Sequence, residues 1–322
     1  MRFLTALAAL LTAAMLSGPV NAADPYPTRP VRIVVPFGAG GSLSVLALAM
    51  GQQLGMKWSQ QPVIDPRPGA GGNIGAEAVA RTAPDGYTLM FTTQSLAANA
   101  TLSPSPNFDP VKSFEPVVLV GTGQNVLVVS SNSPFKSLQD LVAYGKAHPG
   151  ELTAASVGVG STSYLATELF KSVAGIDALL VPYNGAAPAS TDVMAGRISF
   201  WVTTLGSVLG NIGNGQMRGL AISGDRRAAA LPDVPTFAEL GYPKFKANAW
   251  FALFAPAGTP KHIVTQINAD VNEALAVPQV RERFQALSVD PVGGTPAGLR
   301  DLLRDEIDTW AALFKNTGAA RK

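Results

Sequence analysis

Two segments of the chain share one order of residue types, and that order restricts the fold more than any other feature. Residues 31–50, VRIVVPFGAGGSLSVLALAM, pass from a β-branched apolar run through a glycine-rich turn into a second, longer apolar run. Residues 155–170, ASVGVGSTSYLATELF, repeat that order with more hydroxyl groups in the turn. A short apolar run without alternation reads as a strand buried on both faces, and the longer run after the glycines reads as its helix. Two such units far apart in sequence predict two α/β layers rather than one.

The surrounding pattern extends both units. In the first half the spacing predicts strands over 31–36, 61–64 and 87–92, with helices over 43–56 and 73–83, the latter capped by Asn73. Two apolar runs follow, EPVVLVG and NVLVVS, separated by a turn at 121–124. The second half then predicts strands over 152–156, 178–181, 198–202 and 218–222. Its helices lie over 163–174 and 187–195, after one opened by a Ser137–Asp140 capping box. A strand over 249–254 precedes two amphipathic helices. One is opened by Thr259-Pro260 and carries Ile263, Ile267, Val271 and Leu275 on one face. The other is opened by Thr295-Pro296 and carries Leu299, Leu303, Ile307, Trp310 and Phe314. This βαβ cadence predicts mostly parallel sheets in two lobes. The expected division is 23–122 with 248–322 for the first lobe and 123–247 for the second. Two lobes joined by more than one chain crossing imply a cleft and a hinge.

Composition narrows the chemistry. The 322 residues are 47% hydrophobic, enough for two cores, and only 14% charged, with a net charge of +2 and no basic block, so no nucleic-acid partner is expected. Cysteine is absent, which removes disulfides, thiolate catalysis and cysteine metal sites. His148 and His262 sit at a helix exit and in a first helical turn, both ordinary solvated positions, so neither a metal nor a cofactor is expected. Residues 1–22, MRFLTALAALLTAAMLSGPVNA, carry Arg2, an apolar stretch and a small-x-small end at Ala22, the pattern of a cleaved export signal.

The glycine turns are the candidate sites. Gly38, Ala39, Gly40 and Gly41 expose backbone N–H groups, and the helix after them supplies partial positive charge. A dinucleotide fingerprint needs a glycine where Leu43 stands, and a P-loop needs a lysine that is absent. A carboxylate cradle and a plain strand–helix turn remain. Gly158, Val159, Gly160, Ser161, Thr162 and Ser163 offer the same groups from the second unit. Strand ends add Thr92, Thr93 and Gln94, then Tyr183 and Asn184, then Thr203 and Thr204, because open α/β sheets bind ligands at the carboxyl ends of strands. A third glycine-rich turn lies at 66–80 with Arg67, and Trp250 with Phe251 form either core or an aromatic wall. An exported hydrolase acting through Ser42 or Ser161 would need a base nearby, and the sequence places none beside either serine.

The ordered series YPTRPVRIVVPFGAGG, RPGAGGNIGAEAVARTAPDGYTL, GVGSTSYLATELF, VPYNGAAPASTDVMAGRISF, LPDVPTFAELGYP, FAPAGTP and VPQVRERF resembles the tripartite tricarboxylate transporter receptors, the Bug family of periplasmic solute-binding proteins. The resemblance covers essentially the whole chain after residue 22. It implies an α/β, type 2 periplasmic-binding-protein fold, two doubly wound lobes around a ligand cleft. It implies a monomer in the periplasm that captures a small carboxylate and delivers it to an inner-membrane permease with one large and one small subunit. It also implies that Phe37, Gly38, Ala39, Gly41, Ser42 and Ser44 grip one carboxylate, and that Ser156 and Val159 to Thr162 contribute from the other lobe. Family members often carry Asp, Arg, His, Arg and Asp where this chain has Ser44, Leu48, Tyr164, Asn184 and Thr203. The loss of five ionisable groups implies a less charged pocket and an aromatic or otherwise bulky carboxylate, with Tyr164, Phe37 and Trp250 as apolar walls. A sensing module for a membrane signalling partner would use the same closed cleft.

Overall fold

The computed structural model describes residues 26–102 and 107–317. The expected export signal at 1–22 lies outside the described residues. The chain first runs through β1 (Arg32–Val35), α1 (Ser42–Trp58), β2 (Val63–Pro66), α2 (Asn73–Ala80), β3 (Thr88–Thr93), α3 (Ser95–Leu102) and the long β4 (Phe114–Gly123). It continues through β5 (Asn125–Ser130), α4 (Leu138–Ala147), β6 (Thr153–Ser156), α5 (Thr162–Ala174), β7 (Leu179–Pro182), α6 (Ala186–Met194), β8 (Phe200–Thr204), α7 (Leu209–Gly213) and β9 (Met217–Ile222). It ends with β10 (Ala249–Pro256), α8 (Lys261–Ala276), α9 (Pro278–Ala286), β11 (Val289–Pro291) and α10 (Pro296–Thr317).

The strands form two sheets, in the orders β11-β4-β10-β3-β1-β2 and β7-β6-β8-β5-β9. Both are mixed rather than mostly parallel. In the first, β1 pairs parallel with β2 and β3, while β10 pairs antiparallel with β3 and β4. In the second, β6 pairs parallel with β7 and β8, while β5 pairs antiparallel with β8 and β9. The mixture follows from the crossings. Strand β4 leaves the first sheet toward the second and β10 returns from it, so the two run in opposite directions side by side, whereas the parallel pairs are joined by crossover helices.

Each sheet is covered on both faces, and the alternation of side chains along the strands shows it. On β10, Phe251, Leu253 and Ala255 join one core with α1 and α8, while Trp250, Ala252 and Phe254 join another with α3 and α10. On β8, Phe200 and Val202 face one core of the second lobe, and Trp201 faces the other. The C-terminal stripe behaves as its spacing predicts, with Leu299, Leu303, Trp310 and Phe314 buried against the first sheet.

Several boundaries differ from expectation for identifiable reasons. Gly121 and Gly123 do not make a turn; they lie inside β4, where an added Cβ on Gly121 would come within 2.9 Å of both Val289 and the Asp290 carbonyl. Their missing side chains admit β11, and only Gln124 separates β4 from β5. Asn73 is not the cap of α2; that place belongs to Gly72. Pro260 rather than Thr259 occupies the N-cap of α8, and the Thr259 hydroxyl instead bonds the Pro256 carbonyl at 2.8 Å. The capping box of α4 does form: Ser137 Oγ accepts from the Asp140 N–H, and Asp140 Oδ2 accepts from the Ser137 N–H.

The second lobe is centred on Phe170, whose ring meets those of Phe200, Phe237, Tyr242 and Phe245 edge-on. Phe170→Ala is expected to lower the unfolding free energy by about 3–5 kcal/mol, measured by urea titration, with Phe170→Leu losing less.

Candidate ligand-binding site

A cavity of about 470 Å³ lies between the carboxyl ends of the parallel strands of the two lobes. The sequence builds it by one device used repeatedly: β1, β2, β6 and β7 each run out into a glycine-containing turn, and the next helix starts at the cavity wall. The N-termini of α1, α2, α5 and α6 all meet it, through Gly41 and Ser42, Gly72, Thr162 and Ser163, and Gly185 and Ala186. Their first-turn amides have no partners within the helix, and each terminus carries roughly half a positive elementary charge.

The caps make these termini available. Gly41, Gly72 and Gly185 occupy the N-caps of α1, α2 and α6, and none offers a side-chain acceptor to the first turn. Only α5 is capped by a side chain, Ser161 Oγ accepting from the Tyr164 N–H. Against this positive field, the lining contains no Asp, Glu, Lys, Arg or His among the described residues. The polar side-chain groups are hydroxyls, the Asn184 amide and the Trp201 indole N–H. Ser42, Thr204 and Ser207 form a cluster that crosses between lobes, with Ser42 Oγ 3.0 Å from Thr204 Oγ1, and Ser207 Oγ accepting from the Ser42 N–H at 3.1 Å. Phe37, Tyr183, Trp201 and Phe251 supply aromatic surface. The Tyr183 hydroxyl donates to Asp192 Oδ2 at 2.7 Å, and Asp192 is held in turn by Arg197. Burial, reinforced by that carboxylate, pushes the Tyr183 phenol up to about 12, so it stays neutral at physiological pH.

The lobes touch where no side chain fits. Gly71 has φ +61°, and a Cβ there would lie 1.6 Å from the Val159 carbonyl oxygen of the opposite lobe. A Cβ on Gly160 would lie 1.7 Å from Asn99 Oδ1, and one on Gly38 would lie 2.6 Å from the Asn184 carbonyl. Asn99 also donates its amide to the Gly71 carbonyl at 3.0 Å, which holds the turn in place.

Of the residues singled out from the sequence, Phe37, Gly38, Gly41, Ser42, Thr93, Val159, Thr162, Tyr183, Asn184 and Thr203 are brought together on the cavity wall, as are Gly158, Ser163, Thr204 and Phe251. The others stand behind it or away from it. Ala39 is exposed on the loop, and Ser44 donates its hydroxyl to the Gly41 carbonyl within the first turn of α1. Gln94 accepts from the Trp250 N–H, which fixes β3 against β10. Ser156 and Ser161 donate to the Gly158 carbonyl, and Gly160 packs on Asn99. Tyr164 packs against the core of the first lobe beside Leu165, not on the cavity. Trp250 lies in that same core because strand alternation gives the cavity side of β10 to Phe251. Arg67 is exposed and paired with Asp65 at 3.0 Å. Sequence reasoning missed the cavity roles of Trp201 and Ser207. Trp201 was detectable, since it shares one face of β8 with Thr203.

The family model described as Tripartite tricarboxylate transporter family receptor matches residues 44–319. The chain is 39% identical to Protein BugT of Bordetella pertussis over 100% of its own length and 99% of that protein. Among solved structures, an R. palustris protein with adipate superposes with a TM-score of 0.87 at 35% identity, covering 91% of this chain and 98% of that one. MatC from Rhodopseudomonas palustris with bound malate gives a TM-score of 0.86 at 32% identity, covering 89% and 99%.

The Gly71 contact yields a direct expectation. Gly71→Ala should weaken, by at least about tenfold (1.4 kcal/mol), the affinity for whichever small molecule a thermal-shift panel identifies, with circular dichroism unchanged. Unaltered affinity would show that the lobes do not need this contact.

Proposed function

The chain belongs to the tripartite tricarboxylate transporter family of receptors, and from that premise we propose that it is a periplasmic solute-binding protein whose cargo is a small carboxylate bearing an aromatic or similarly bulky apolar body. The family is one of receptors rather than enzymes, and the mechanism is non-covalent. The open lobes admit the ligand, close on it by a hinge motion, and the bound state is favoured by the ligand's better fit to the closed form. The receptor then presents its load to an inner-membrane permease with one large and one small subunit, acting as a monomer. The first lobe is taken as 23–122 with 248–322, and the second as 123–247.

The observation that carries the carboxylate is the convergence of four helix N-termini on a cavity whose described lining has no carboxylate, ammonium, guanidinium or imidazole. Backbone amides and helix dipoles bind anions without a lysine or arginine, and the glycine caps of α1, α2 and α6 put no capping side chain of their own over those first-turn amides. Relatives solved with adipate and malate support an acid as the class of cargo. The aromatic body is supported by Phe37, Tyr183, Trp201 and Phe251 on the wall, and by the volume, which exceeds what a malate-sized molecule fills. Phe37, Gly38, Gly41, Ser42, Thr93, Val159, Thr162, Tyr183, Asn184 and Thr203 are the proposed ligand contacts; Ser44, Gln94, Ser156 and Ser161 act by holding the loops.

Titration calorimetry with benzoate, adipate, malate and citrate tests the proposal. Benzoate-type acids are expected to bind at least about tenfold more tightly than citrate, equivalent to 1.4 kcal/mol. Binding of the tricarboxylate alone would sink it.

A further inference from the structure

Trp201 holds a resource that the carboxylate reading does not use. Its side chain lies on the cavity wall, is fully buried, and its indole Nε1 has no hydrogen-bond partner in the protein. Buried N–H groups are rarely left without an acceptor, because the desolvated donor costs free energy that nothing returns. The indoles of Trp58 and Trp310 follow that rule, donating to Asp270 and Glu306 at 2.7 Å each. Trp250 Nε1 is also without a partner, but it lies in the core of the first lobe, so among the four indoles only that of Trp201 brings an unpartnered donor to the cavity wall.

Its surroundings specify the acceptor. Trp201 is packed in the apolar core of the second lobe with Val126, Val128, Ala155 and Val193. The hydroxyl of Thr203 is the nearest polar group on the same face of β8, one alternation further along. A second carboxylate placed there would be stripped of water and offered neutral donors only, with no cation in the lining to compensate. A neutral oxygen loses far less on entering and satisfies the indole fully.

Resting on the carboxylate reading, we infer that Trp201 forms a second subsite for an uncharged oxygen. The preferred cargo is thus a monoanion bearing a hydroxyl, ether or carbonyl oxygen on an aromatic body, not a dianion. The carboxylate occupies the helix N-termini and the neutral oxygen accepts from the Trp201 indole. Trp201 is then a specificity-determining residue: it selects among acids that the backbone amides hold alike.

The experiment uses 15N-labelled full-length protein and a panel of benzoate, 3- and 4-hydroxybenzoate, 3- and 4-methoxybenzoate and terephthalate. The indole N–H resonance of Trp201, assigned from Trp201→Phe, is expected to move downfield on saturation with at least one hydroxy- or methoxybenzoate, and less with benzoate. Calorimetry should show that acid binding at least tenfold more tightly than benzoate or terephthalate. Trp201→Phe should erase the preference, weakening the oxygen-bearing acid at least tenfold more than it weakens benzoate. The inference is overturned if the Trp201 resonance stays fixed while an oxygen-bearing acid saturates the protein, if Trp201→Phe keeps the preference, or if terephthalate binds best. Should none of the acids bind, the carboxylate reading fails with it, a result distinct from binding that ignores Trp201.

Discussion

The hydrogen bond from the Asn125 amide to the Ala247 carbonyl, 2.6 Å long, ties together the two stretches of chain that join the lobes. Asn125 stands two residues after β4 ends, and Ala247 stands two residues before β10 begins. Around this bond, Ser223 Oγ accepts from the Asn125 N–H, and Gln124 donates its amide to the carbonyls of Ser223 and Arg226. Two crossings so fixed to one another form a single axis. In the proposed hinge closure, motion about it would change the separation of the helix N-termini without disturbing either sheet.

The closing surfaces are made of backbone for a reason that the same geometry supplies. Lobes that meet through long side chains would fill the space they are meant to enclose. Lobes that meet through Gly71, Gly160 and Gly38 bring main chain against main chain or against Asn99, and leave the interior to the ligand. The hydroxyl cluster of Ser42, Thr204 and Ser207 adds short polar contacts across the divide at little cost in volume. Tyr164 and Leu165 of the second lobe pack on the core of the first, so closure also buries apolar surface.

Much of this was legible in the residue order. The strand–glycine–helix units, the two chain crossings and the amphipathic stripes of the last helices depend on local pattern, and local pattern survives in one dimension. What failed was orientation and long-range pairing. Trp250 and Phe251 are adjacent aromatics on one strand, so one of them must face each side, and nothing in their sequence says which side holds the cavity. Tyr164 stands in the right turn of the right helix yet points to the other lobe. Gly121 and Gly123 read as a turn because glycine serves both bending and close packing, and only the approach of β11 separates the two uses. That Gly71 meets Val159 depends on the closure of two domains, which no window of sequence contains.

Among the described residues, the cavity lining holds no side chain that titrates near neutrality, the Tyr183 phenol being pushed up to about 12, and this has a consequence for the conditions under which such a receptor works. A grip made of amides, hydroxyls and helix dipoles has no member that gains or loses a proton near neutrality. Its strength therefore does not follow the acidity of the medium, which in an envelope compartment tracks the world outside the cell. The only proton that matters belongs to the cargo. Uptake would remain constant across every habitat in which the acid itself stays ionised, and would fail only where the water turns sour enough to neutralise it.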